Sequence, residues 1–137
     1  MVTIAPWVDS IRLFLHIIAA TIWVGGQLTL AALVPLLRAR DAGLPKIAAN
    51  GFNRVAWPAY WVLVLTGIWN VIEIRNHGGG DHAWNVALII KVAVVALSGV
   101  AAFMHTRSKT TTGLAVWGAL TGLTALAATY VGVLLAG

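Results

Sequence analysis

The chain alternates long apolar runs with short polar joins, and four of the runs are long enough to cross a bilayer. They predict helices at about residues 11–37, 55–74, 84–104 and 113–135. A transmembrane helix needs roughly 20 predominantly apolar residues, a length each run reaches. The joins carry helix breakers: Asp41-Ala-Gly-Leu-Pro45, Asn76-His-Gly-Gly-Gly-Asp81, and the polar stretch from Thr106 to Thr112. Pro35 and Pro58 are expected near helix ends, where a missing backbone hydrogen bond costs least.

Composition turns this pattern into a fold class. Hydrophobic residues make up 60% of the 137 positions and charged residues only 9%, with a mean hydropathy of +0.88. Ordinary soluble domains are about 25% charged. The expectation is an all-α integral membrane protein, an antiparallel four-helix bundle forming one domain over residues 1–137 in the lipid bilayer. No internal repeat is convincing. No basic segment precedes the first apolar run, which is too long for the core of a signal peptide and reads as a first transmembrane helix. The absence of cysteine excludes disulfides, thiolate metal sites and iron–sulfur clusters.

The net charge of +5 does not point to nucleic acid, because the basic residues bracket the apolar runs. Arg38, Arg40, Lys46, Arg54, Arg107 and Lys109 flank the first and third joins, and only Arg12 and Arg75 lie on the other side. The positive-inside rule puts those two joins in the cytoplasm and both termini outside. Trp7, Trp57, Trp84 and Trp117 fall where an aromatic belt is expected. Gly118, Gly122, Ala125, Thr129 and Gly132 form a small-residue stripe suited to close helix packing.

Polar residues inside the runs are the candidate chemistry. Lys91 interrupts WNVALIIKVAVVALSGVAAFMH, and His16 interrupts the first run. An ionisable group at the bilayer centre costs roughly 2.5–3.5 kcal/mol on insertion scales, so it marks a functional position by default. Lys91, Ser98 and His105 recur every seven residues on one helix face, while His16, Trp23 and Gln27 share another. Asn70 and Glu73, with Thr129 and Tyr130, belong to the outer parts of their helices, and an outer polar cluster around His16 and Lys91 is expected. His105 lies about 21 Å from Lys91 along the axis. His77, Asp81 and His82 flank the glycine-rich outer loop, where two imidazoles and a carboxylate can capture Cu(II) or Zn(II). That spacing matches no firm metal motif.

The stretches LHIIAATIWVGGQL, FNRVAWPAYWVLVLTGIWNV and ALIIKVAVVALSGVAA resemble the membrane domain of the copper resistance protein D (CopD) family. The resemblance covers about Arg12 to Met104. It rests on His16 followed by Trp23-Val24-Gly25-Gly26, on Arg54 before a helix that contains Thr66-Gly67, and on Lys91 early in the next helix. It implies copper transport or copper resistance in a bacterial-type plasma (inner) membrane. The chain is also similar to the HemJ-type four-helix proteins, thought to bind haem b and to oxidise protoporphyrinogen. Their first-helix His and third-helix Lys match His16 and Lys91, and His105 is similar to a position in that family.

The two resemblances leave the ligand open. In the copper reading His16 is an outward-facing ligand, with His77, His82 or the Met1 amine as capture groups. Soft Cu(I) prefers thiolate and thioether donors, yet the chain offers only Met1 and Met104. A periplasmic copper carrier or a homo-oligomer would have to supply the rest. In the haem b reading, His16 and His105 are candidate iron ligands, and Trp23, Gly25, Gly26, Arg54, Asn70 and Lys91 line the site. A third reading is an accessory membrane protein without catalysis.

Overall fold

The computed structural model describes Ile4 and residues 6–136, so the Met1 amine lies outside the described residues. The described chain is all-α, without strands. It comprises α1 (Trp7–Ala20), a π-helical turn (Thr21–Gly25), α2 (Gly26–Arg40), α3 (Leu44–Asn76), α4 (His82–Arg107) and α5 (Thr111–Ala136). The first three run on as one 34-residue span, so four helices are long and apolar enough to cross a membrane. This is a multi-pass membrane protein. The chain divides between Gly79 and Gly80 into two compact units, each a helical hairpin.

The helices outrun the apolar segments, most of all in α3, which starts eleven positions before the expected Val55. Residues 44–54 are mixed in polarity, so a hydropathy criterion ends at the membrane while the backbone hydrogen bonds continue. In consequence Pro35 and Pro58 lie inside helices rather than near their ends. Each removes one N–H from the ladder, leaving the carbonyls of Ala31 and Arg54 without their helical donors.

In the first hairpin a short turn reverses the chain. The Asp41 carboxylate accepts from the Gly43 N–H at 2.6 Å, and the Leu44 N–H donates to the Asp41 carbonyl at 3.2 Å. At its far end α3 closes with Gly78 at φ 73° and the Gly79 N–H on the Ile74 carbonyl at 2.9 Å. This left-handed cap is one that glycine adopts without steric cost.

In the second hairpin Asp81 caps α4 by accepting from the Trp84 N–H at 2.8 Å. Thr110 caps α5 by accepting from the Gly113 N–H at 3.0 Å. The seam between α4 and α5 consists of small side chains: Ser98, Gly99 and Ala101 against Thr121, Thr124, Ala125 and Ala128. Without a hydrophobic drive between helices in lipid, close packing of this kind is a main source of association. The buried stripe is one phase away from the expected one. Gly118, Ala125 and Gly132 belong to it, but Thr121 and Ala128 replace Gly122 and Thr129. Gly122 faces open space, and Thr129 and Tyr130 are exposed.

Candidate functional site

In the first unit the polar groups of α1 and α3 form a ladder across their antiparallel contact. His16 lies about 13 Å along the rod from Trp7, and its Nδ1 is 2.8 Å from the Thr66 hydroxyl. That hydroxyl donates to the Val62 carbonyl at 2.7 Å, one turn back. A hydroxyl has one proton to give. The 2.7 Å bond to Val62 favours Thr66 as the acceptor from His16, the arrangement in which Nδ1 is the donor. Thr66 thereby orients the ring, as a hydrogen-bond partner does behind a metal-ligating histidine. Gly67 gives the ring its place, since a Cβ there would stand 3.5 Å from the imidazole Cε1.

One turn toward the Trp7 end sits Arg12, only 8% exposed. Its guanidinium pairs with Asp9 at 2.7 Å and donates to the Asn70 side-chain carbonyl. Its Nε–H is buried, with no partner among the described residues. Asp9, Arg12 and Glu73 line an open cleft of about 320 Å³ with Ile74 and His77. Asn70 was legible as a polar residue inside a run. Arg12 and Asp9 read as topology charges, and only their i, i+3 spacing hinted at a pair.

Toward the Arg40 end of the span the Trp23-Val-Gly-Gly motif runs from the π-turn into α2, which Gly26 opens. The Thr21 N–H is shared between the Ile17 and Ile18 carbonyls there. Trp23 is 3% exposed and packs on Tyr60 at 4.7 Å and on Trp57 at 5.6 Å. Trp57 is thus part of an aromatic cluster as well as a candidate for the belt. The two glycines differ. A Cβ at Gly26 would collide with the Phe52 ring, whereas Gly25 faces open space. Arg54 is exposed beside Pro58 at the edge of an apolar groove.

In the second unit the seven-residue recurrence on α4 is a real face, turned toward α5. Ser98 is 1% exposed and donates to the Thr121 carbonyl at 3.2 Å. His105 donates from Nδ1 to the Leu114 carbonyl at 2.9 Å, with its ring over Gly118, where a Cβ would be 3.2 Å away. Lys91 is half-buried and lies over Gly132, its ammonium 2.9 Å from where a Cβ would stand. Among the described residues Lys91 makes no hydrogen bond or ion pair. Gly118 and Gly132 therefore do more than bring backbones together; they seat the His105 and Lys91 side chains of α4. Trp84 ties the start of α4 to the end of α5 through its Nε1–H on the Leu135 carbonyl at 3.3 Å.

The residues of the loop between α3 and α4 have local duties. His77 donates from Nδ1 to the Glu73 carbonyl at 2.8 Å, Asp81 is the α4 cap, and His82 is exposed. Among the described residues no three His, Cys, Asp or Glu side chains are grouped so as to hold a metal ion. Comparison of the chain with protein-family models, with curated proteins and with solved structures finds no match, so the two resemblances rest on the quoted residues alone.

Proposed function

We propose that this multi-pass membrane protein binds haem b through Nε2 of His16. The observation that carries the reading is the 2.8 Å contact of His16 Nδ1 with the Thr66 hydroxyl, which itself donates to the Val62 carbonyl and so orients the imidazole by accepting from Nδ1. A porphyrin brings four of the iron's donors with it, so the protein needs to supply only an axial base. One oriented imidazole in an apolar span meets that need. Bound haem supplies a one-electron couple, and its potential follows from the axial ligand and the polarity around it. The chain's part is to orient the ring through Thr66 and to give it room through Gly67. Lys91 enters the reading separately, as a cation in an apolar span that calls for an anionic group.

Copper handling, which the CopD resemblance puts first, fits the residues less well. A bare copper ion needs its whole donor set from protein, and no such group of side chains exists among the described residues. The chain has no cysteine and only two methionines. A copper role therefore depends on donors from a carrier or a second copy.

The test is the visible spectrum of the detergent-solubilised protein, oxidised and after dithionite, with metal analysis alongside. A Soret band that shifts on reduction and disappears in His16→Ala is the expected result. A colourless protein that retains copper, and loses it in His16→Ala, overturns haem in favour of copper. A protein that holds neither leaves the accessory role.

A further inference from the structure

A second opening on the first hairpin has a different chemistry from the His16 ladder. It is a groove of about 400 Å³, walled by Leu15 and Ile18 of α1, by Ile22 of the π-turn and by Pro58 and Val62 of α3. Arg54 is the one polar residue lining it. Arg54 is exposed, and among the described residues its side chain has no hydrogen bond or ion pair. An apolar trough with an uncompensated guanidinium at one end is complementary to an amphiphile with an anionic head.

The placement of the charge narrows the occupant. Arg54 lies at the end of the hairpin that the basic residues assign to the cytoplasm, and cytoplasmic leaflets are enriched in anionic lipids. From Arg54 to Val62 the groove follows α3 for about 12 Å. Half of a hydrocarbon core is about 15 Å, so the trough matches one chain of one leaflet. A second copy docked through the same face would bring two Arg54 guanidinium groups into one apolar seam, as an isologous contact requires. Arginine pairs readily with phosphate, through two parallel hydrogen bonds.

We propose that this groove holds one acyl chain of an anionic phospholipid, with Arg54 on the lipid phosphate. The proposal does not depend on whether His16 binds haem, because the groove and the imidazole use different side chains.

The experiment reconstitutes the full chain with an equimolar mixture of phosphatidylglycerol and phosphatidylcholine. The lipids that stay bound in detergent are then counted by native mass spectrometry. Wild type should retain the anionic lipid about fivefold over the zwitterionic one. Arg54→Gln should retain lipid without that preference, and Val62→Trp, which fills the groove from its rim, should retain little of either. Helicity by circular dichroism checks that both variants are folded. Unbiased retention by wild type overturns the proposal, as does a preference that survives Arg54→Gln. A dimer in wild type that Val62→Trp dissociates also overturns it, because the groove is then an interface between copies.

Discussion

The two hairpins handle charge inside an apolar span in opposite ways. In the first, Arg12 is buried but answered by Asp9 and Asn70, and His16 is answered by Thr66. In the second, His105 is answered only by a backbone carbonyl, and Lys91 has no such partner among the described residues. Both hairpins use the same device for room, a glycine on the facing helix under the polar side chain: Gly67 under His16, Gly132 under Lys91, Gly118 under His105. Shape is therefore prepared in both units, while electrostatic compensation is prepared only in the first. Lys91 is thus a cation that the protein seats on a glycine without an ion pair among the described residues.

The largest expected effects test the sign of that contrast. Removing a buried charge whose partners stay behind destabilises, and removing an unanswered one relieves a cost. Arg12→Met should lower stability by about 2 kcal/mol, since Asp9 and Asn70 are left facing an apolar side chain. Lys91→Met should insert and fold, with stability unchanged or raised by up to about 2 kcal/mol, while function is lost. Thermal unfolding of both variants in one detergent checks this. Destabilisation of similar size in both would end the contrast.

A smaller effect sharpens the role assigned to Thr66. Thr66→Val keeps the shape and removes the acceptor for the His16 Nδ1–H, which should cost about 1–2 kcal/mol. It should also change the spectrum of any haem bound through His16, and Thr66→Ser should restore both. A Thr66→Val protein that unfolds early with an unchanged spectrum would reduce the threonine to packing.

The smallest effects separate the glycine seats. At Gly67 a methyl makes ordinary contact with the His16 ring, so Gly67→Ala should change stability by less than about 0.5 kcal/mol. At Gly132 a methyl reaches the ammonium more closely, yet the atom it meets is the end of a flexible chain. Gly132→Ala should be equally mild in unfolding but should shift the reactivity of the Lys91 amine toward a membrane-permeant acylating reagent, read by peptide mass spectrometry. Unaltered labelling would mean that Lys91 does not rest on this glycine.

The sequence made much of this visible where one helix suffices. The four spans, the face shared by Lys91, Ser98 and His105, and the polar exceptions at His16 and Lys91 all follow from one-dimensional spacing. What it could not supply was register between helices. Thr66 was visible only as part of a Thr-Gly motif, and its contact with His16 exists because α3 faces α1 at one particular offset. The small-residue stripe on α5 shows the same limit. Steps of three and four can begin in either order, so Gly122 and Thr121 satisfy the periodicity equally, and only the packed partner decides between them. Arg12 was obscured for a different reason: a charge near the end of an apolar run serves topology and burial alike, and its partners lie on another helix.

The π-turn at Thr21–Gly25 has a consequence for how α1 and α2 relate. A π-turn accommodates one residue more than the α-helical repeat on either side, and one residue amounts to about 100° of rotation about the helix axis. The ladder from Arg12 to His16 on one side of it and the Gly26 contact with Phe52 on the other both meet α3, along positions 12, 16, 19, 23 and 26, whose steps of four and three make one helical stripe. Shortening this segment by one residue would leave every side chain in place chemically and rotate half of the rod out of alignment with the other. A change by a whole turn would keep the two halves facing α3 but slide one of them about 5.4 Å along it, whereas a change by a single position would lose the facing itself.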